Sequence, residues 1–405
     1  MYKNHRSIIK SKRTMNKKIV YVVGGLVNID GMSQVLSQKI NYLAEHTDWD
    51  IYMILTEKAG TPWVYKISSK VNYVNFDINF DELDTMPILK KAFYYVKKQH
   101  KYKKLFSDYL MSIRPDFTVS TMRREINFIN NIHDGSRKIG ELHFNKSIYR
   151  NFYKSFLPKF INKFIANEWQ KALIKEIKRL DTFIVLSEED KKSWGALDNI
   201  RVIYNPIKFF PNESSTCTNK KVIAVGRYTY QKGFDLLVDA WAIVTKKHPD
   251  WELNIYGSGD YQFYQELANT KNIGNTLKCN PSVNNIYEKY LESSIFVLSS
   301  RYEGFVLVLI EAMSSGLPAV SFDCHCGPKE VIQNGYNGYL VKEKDIKALA
   351  DNINTLIENN EDRKVMGQNA RKSVIRFKEE NIMKNWIELF SSTTNAYNPA
   401  LTQFK

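Results

Sequence analysis

Two widely separated stretches of this chain repeat one pattern, and that repeat limits the fold more than any other feature. Residues 19–23 form a short apolar run. A loop bearing Gly24, Gly25 and Gly31 follows, then a helical pattern with Val35, Leu36, Ile40 and Leu43 near the helical repeat. A second apolar run, IYMIL at 51–55, comes directly after. Strand, glycine loop, helix, strand is the opening of a parallel α/β sheet. Further strands are expected at 116–120, 137–142 and 182–187. The pattern restarts at KVIAVGRY (221–228), with an amphipathic helix at 234–248 and strands at 251–259, 294–300, 317–322 and 337–341.

Asn205-Pro206, inside IYNPIKFF at 203–210, interrupts regular structure between the two sets. The chain's 405 residues suit two domains of roughly 150–200 residues each. The expected organisation is a basic tail at 1–14, an N-terminal Rossmann-like domain at 15–204 and a C-terminal one at 205–378. A final helix near 379–393, carrying Trp386 and Phe390, is expected to pack back toward the first domain, with a tail to 405. The two α/β domains are expected to face each other across a cleft. Loops after the strands are where ligands bind in open α/β sheets.

A formal net charge of +15 calls for an anionic partner: nucleic acid, a phosphorylated small molecule or an anionic membrane leaflet. No stretch approaches the roughly 18 apolar residues of a membrane span. The basic start lacks the apolar core of a secretory signal, and Met15 offers an alternative start. The four cysteines, Cys217, Cys279, Cys324 and Cys326, make no disulfide framework. A cytoplasmic protein is expected.

Two segments carry chemistry. In VGRYTYQKGFDLL (225–237), Arg227 and Lys232 lie in a turn between a strand and a helix start, where backbone N–H groups and the helix dipole favour an anion. Two such cations suit a diphosphate, and they equally suit a solvated surface. In SSRYEGFVLVLIEAMSSGLPAVSF (299–322), Glu303 follows a strand. Glu311 lies eight positions later on a helix expected to begin near Gly304. Two helical turns would set both carboxylates on one side. Glu311 sits among apolar Val308, Leu309, Ile310 and Ala312, so it needs partners, either a ligand diol or the backbone.

Taken together, G-R-x-x-x-Q-K-G-F-D-L-L, E-G-F-x-x-x-x-x-E-A-M-x-x-G-L-P-A-V, G-P-x-E-x-I and N-G-Y-L-V resemble the retaining glycosyltransferases of family 4, which have the GT-B fold. The match is dense over 205–378 and looser before it. The resemblance implies that Arg227 and Lys232 bind the donor diphosphate and that Glu311 binds the nucleotide ribose. It implies that Glu303 holds hydroxyls of the transferred sugar, while the backbone N–H groups of Phe305, Val306 and Leu307 help bind phosphate. Gly31 in N-I-D-G-M-S-Q-V-L matches a glycine turn beside the diphosphate, although Asp30-Gly31 departs from the usual Gly-Gly. His143 in G-E-L-H-F-N matches a histidine near the reacting sugar; a lone histidine can also be structural. No metal or other cofactor is implied, and the family retains anomeric configuration by front-face attack without a protein nucleophile.

Asp48-Trp49-Asp50 spells a D-x-D metal signature ahead of a strand and reads as a solvent-facing turn. Cys324-His325-Cys326 lacks a second ligand pair for zinc. Residues 88–106 hold seven lysines, Lys97, Lys98 and Lys101 among them, and no acid; residues 144–167 hold Arg150 and Lys154 among recurring aromatics. Such surfaces suit an anionic leaflet, or else a packed aromatic core under a solvated lysine face. No nucleic-acid motif accompanies the charge. The resulting expectation is a hexose or N-acetylhexosamine transferred from a nucleotide-diphosphate sugar, UDP preferred, to a saccharide or lipid-linked acceptor. Peripheral attachment to the inner face of the plasma membrane would accompany it. A nucleotide-sugar epimerase of the same fold and a non-catalytic sugar-nucleotide sensor are the alternatives.

Overall fold

The computed structural model of the chain describes residues 16–27, 30–147, 149 and 159–392. The basic segment 1–14 and the tail after 392 lie outside the described residues, as do Arg150 and Lys154. Contacts divide the chain into two compact units, Met1–Ile29 with Lys39–Lys138, and Asp30–Gln38 with Ile139–Lys405.

One parallel sheet contains β1 (Lys18–Val23), β2 (Asp50–Leu55), β3 (Asn72–Asn75), β4 (Phe117–Ser120), β5 (Arg137–Glu141), β6 (Thr182–Val185) and β7 (Ile200–Val202), in the order β3-β2-β1-β4-β5-β6-β7. The second contains β8 (Lys221–Val225), β9 (Glu252–Gly257), β10 (Leu277–Pro281), β11 (Ile295–Leu298), β12 (Ala319–Phe322) and β13 (Gly338–Val341), in the order β10-β9-β8-β11-β12-β13. Both sheets reverse direction of growth beside their first strand, the doubly wound arrangement. Strands buried on both faces read as unbroken apolar runs, as Ile19–Val23 does.

Helices alternate with these strands. In the first half they are α1 (Gly31–His46), α2 (Ile88–Ile113), α3 (Lys159–Lys178) and the short α4 (Glu188–Ser193). In the second half α5 (Phe234–Lys247), α6 (Tyr261–Thr270), α7 (Ile286–Leu291), α8 (Leu307–Ser314) and α9 (Pro328–Val331) precede α10 (Ile346–Glu358), α11 (Asn360–Ser373) and α12 (Glu379–Ser391). Among the described residues no helix is long and apolar enough to cross a membrane.

Asp30 opens α1 as its cap: its carboxylate accepts the Ser33 N–H at 2.9 Å and the Ser33 hydroxyl at 2.8 Å. The departure from Gly-Gly at this position is thus a helix cap. In the second sheet, Ala224, Ile255, Val297 and Val320 pack under Leu237, Val238 and Trp241 of α5 and Leu349 and Ile353 of α10. The Trp241 indole N–H donates to the Thr276 hydroxyl at 3.2 Å, so its polar edge is not stranded. The apolar face of α12, Ile382, Met383, Trp386, Leu389 and Phe390, is buried.

Candidate active site

The β8–α5 turn is built around Lys232. Gly233, at φ 62°, ends the turn in a left-handed conformation, and a methyl group there would lie 2.1 Å from the Ser299 carbonyl oxygen. The β8 turn and the end of β11 can approach this closely only with glycine between them. Across that contact, Lys232 Nζ stands 2.6 Å from Glu303 Oε1, with both side chains largely buried. The Ser300 hydroxyl donates to the same oxygen, and Gln231 Nε2 donates to the Tyr302 carbonyl at 3.0 Å. Arg301 braces the turn from below, donating to both Asp235 oxygens and to the Tyr230 carbonyl, with its guanidinium 4.0 Å from the Tyr230 ring centre. Arg227 is exposed, and among the described residues no hydrogen bond or ion pair holds its guanidinium. The turn therefore offers one cation pinned to a carboxylate and one open cation.

Helix α8 begins at Leu307, three residues later than the sequence spacing suggests. Val306 (φ −91°, ψ 73°) is not helical, and the Leu307 N–H donates to the Phe305 carbonyl at 3.1 Å, forming a tight turn before the helix. Glu303 is therefore a loop residue, and the expected two-turn spacing on one helix does not relate it to Glu311. Of the three backbone groups expected at the helix start, Leu307 lies in the helix, with its N–H engaged, and Phe305 and Val306 lie in the turn before it. Gly31, the first residue of α1, faces Leu307, and a methyl group on it would lie 3.2 Å from Leu307 Cδ1.

Glu311, in the second turn of α8, is buried. Burial pushes its carboxyl up to about 7, offset in part by the Lys208 charge and a hydrogen bond from the Gln34 side chain. Neither Gln34 nor Lys208 is suggested by sequence, since the fold alone brings residues that distant to one carboxylate.

His143 follows β5 and is buried, its Nε2 3.2 Å from Glu141 Oε1. The approach lies off the axis of an aligned hydrogen bond, and neither ring nitrogen finds a hydrogen-bond partner among the described residues. Its backbone meets the Glu303 loop. A methyl group on Gly304 would lie 2.9 Å from the His143 carbonyl oxygen, and the Asn145 side-chain amide donates to the Glu303 carbonyl. The structure thus mounts His143 and Glu303 on abutting loops.

Glu189, His325 and Cys326 bring three potential ligand atoms within 4.8 Å of one another. Glu189 accepts the Cys326 N–H at 2.9 Å and lies 3.1 Å from His325 Nδ1, so protein groups already engage both carboxylate oxygens. Glu330 joins the same region, accepting the Glu189 N–H at 3.1 Å and the Tyr204 hydroxyl at 3.0 Å.

On α2, Ile88, Leu89, Phe93 and Val96 are exposed beside exposed Lys97 and Lys101, while Tyr102, Phe106 and Leu110 are buried. Lys98 departs from the surface role expected of it. Its ammonium is half-buried, 2.9 Å from Glu82 and bonded to the Ile78 and Asn79 carbonyls, because the helix turns that position inward.

With this geometry in view, residues 207–373 match the family described as glycosyl transferases group 1. An uncharacterised glycosyltransferase of Haemophilus influenzae is 34% identical over 211 residues, covering 51% of this chain and 60% of that protein. The poly(ribitol-phosphate) α-N-acetylglucosaminyltransferase of Staphylococcus aureus is 29% identical over 269 residues, covering 65% of this chain and 52% of that protein. The chain therefore spans between half and two thirds of the length of these relatives. The crystal structure of S. aureus TarM in complex with fondaparinux, α-GlcNAc-glycerol and UDP superposes with a TM-score of 0.71 at 18% identity, over 93% of this chain and all (100%) of that one. Residues 207–373 are similar to the group 1 glycosyl transferases, and the chain has the GT-B fold.

Proposed function

We propose that the chain is a retaining glycosyltransferase that moves a hexose or N-acetylhexosamine from a nucleotide-diphosphate sugar to a saccharide or lipid-linked saccharide acceptor in cell-surface polysaccharide synthesis. The observation that carries this reading is the juxtaposition of Lys232 with Glu303, beside the open Arg227. A donor diphosphate entering the β8 turn would draw Lys232 toward its oxygens and release Glu303 to accept sugar hydroxyls. Arg227 would clamp phosphate oxygens from solvent. Glu311, ionised, would take both hydroxyls of the ribose. UDP is the preferred nucleotide, supported by the UDP present in the TarM complex.

The chemistry then asks mainly for positioned charge. Lys232 and Arg227 would stabilise negative charge building on the departing diphosphate, so the reading needs no divalent cation. The acceptor hydroxyl would attack from the face the diphosphate leaves, giving its proton to a phosphate oxygen, and configuration would be kept. We further propose a cytoplasmic protein attached to an anionic leaflet through the exposed Phe93, Lys97 and Lys101 of α2.

A panel of nucleotide sugars, offered to wild type, Glu311→Ala and Lys232→Ala with membrane extract as acceptor, tests the reading. Transfer from one donor, lost in both folded variants and preserved in chelator, supports it. Free nucleotide and an altered sugar without acceptor would make the protein an epimerase. Donor binding without turnover on any acceptor would make it a sensor.

A further inference from the structure

Glu141 and His143 stand two residues apart at the end of β5, a spacing that sets side chains on one face of an extended segment. The Glu141 carboxylate is buried, as is the His143 ring, and 3.2 Å separates Oε1 from Nε2. A buried ring nitrogen without a partner is costly, and an apolar side chain at this position would avoid that cost. Nδ1 has no hydrogen-bond partner among the described residues. Its loop, moreover, is fixed against Glu303 through Gly304 and Asn145. The loop that carries the ring is thus fixed, with Nε2 facing Glu141 and Nδ1 unused by the described residues.

We propose that Glu141 is a positioning residue for His143: its carboxylate keeps the ring proton on Nε2, so that Nδ1 presents a lone pair to a hydroxyl of the transferred sugar. This rests on the transferase reading proposed above, with His143 near the reacting sugar as the family resemblance implies. An ionised carboxylate only accepts hydrogen bonds, so the ring nitrogen facing it must carry the proton. The histidine χ2 torsion is broad, so the ring has freedom to turn and align the 3.2 Å contact as a hydrogen bond. With Nε2 protonated, a neutral ring has only acceptor capacity at Nδ1. That matches a sugar hydroxyl and repels a phosphate oxygen, so the dyad orients the sugar ring and leaves the diphosphate to Arg227 and Lys232.

The test joins imidazole 15N NMR with steady-state kinetics. His143 is assigned by the signals missing from His143→Asn, and wild type is compared with Glu141→Gln and Glu141→Ala. Wild type should show one tautomer, protonated at Nε2, and Glu141→Ala a mixture. In Glu141→Ala kcat should fall by on the order of 10²-fold, the loss expected of a misplaced group, with the donor KM changed much less. Glu141→Gln, whose amide oxygen still accepts, should recover most of it. A wild-type ring protonated at Nδ1, or a tautomer unmoved by Glu141→Ala, would overturn the proposal. So would a Glu141→Gln variant as slow as Glu141→Ala at unchanged melting temperature. The NMR arm needs no turnover, so absence of transferase activity in wild type would count against the function proposed above and leave the dyad to be judged by its tautomer.

Discussion

Lys232 Nζ lies 2.6 Å from Glu303 Oε1, and the two side chains come from the loops that follow different strands, β8 and β11. Their side chains are 12% and 6% exposed, so the pair is closer to a buried ion pair than a surface one. Breaking such a pair from one side leaves an unmatched charge, at a cost of roughly 3–5 kcal/mol. Lys232→Ala should therefore lower the unfolding free energy, and adding Glu303→Gln should restore part of the loss. Denaturant melts of both singles and the double variant check this. Additive losses would mean that the two groups do not sense each other.

Glu311 predicts a pH dependence whose sign follows from burial. Its carboxyl titrates near 7 in the folded protein, against an ordinary value of 4.5. Below about pH 4.5 both folded and unfolded forms hold the proton. Between there and about 7 only the folded form keeps it, so this group lowers stability as pH rises through that window and has no further effect above it. Donor binding should run the other way. If the ribose meets the ionised carboxylate, affinity for a UDP-sugar should rise up to about tenfold per pH unit below 7 and then level off. Titration calorimetry at several pH values should show this slope, and Glu311→Gln should flatten it.

Gly233→Ala combines two penalties, a left-handed backbone and a methyl 2.1 Å from the Ser299 carbonyl. The first alone is worth about 1–2 kcal/mol, and the second forces β8 and β11 apart. A loss above 2 kcal/mol by denaturant melt, together with weakened donor binding, is expected. An unchanged melt would show that the β8 turn tolerates a different path.

The lysines of α2 should separate by role. Lys97→Glu with Lys101→Glu should reduce binding to anionic vesicles, by about 1 kcal/mol for each charge removed and more for its reversal, with little change in melting temperature. Lys98→Ala should do the reverse, since its ammonium is held by Glu82 and two backbone carbonyls. Vesicle flotation and thermal melts distinguish them, and equal behaviour of all three lysines would contradict the division.

The central strands were legible because burial on both faces leaves an apolar run, as in β1, β8 and β11. Three of the four edge strands, β3, β7 and β10, were not. NYVN in β3 is half exposed, IRV in β7 has three residues, and LKCNP in β10 alternates and ends in proline. Lys232 and Glu303 could be read locally because each sits in a strand-to-helix turn with glycine beside it. The start of α8 could not, because EGFVL has helix-compatible residues and only the tight turn at Phe305–Leu307 delays the helix. Glu141 had a readable signal, the alternation in G-E-L-H. Arg301 had a weaker one, since its partner Asp235 belongs to another motif. Gln34 and Lys208 had none.

Strand order carries a consequence for how the chain assembles. In the second sheet β8 is made first and lies inside; β9 adds to it and β10 to β9, then β11 takes the opposite flank of β8, followed by β12 and β13. In the larger sheet β1 plays the part of β8. Every strand thus joins an edge already present, and none must wedge between two that have paired. A chain emerging from its N-terminus can grow both sheets outward from a seed, without undoing ladders formed earlier.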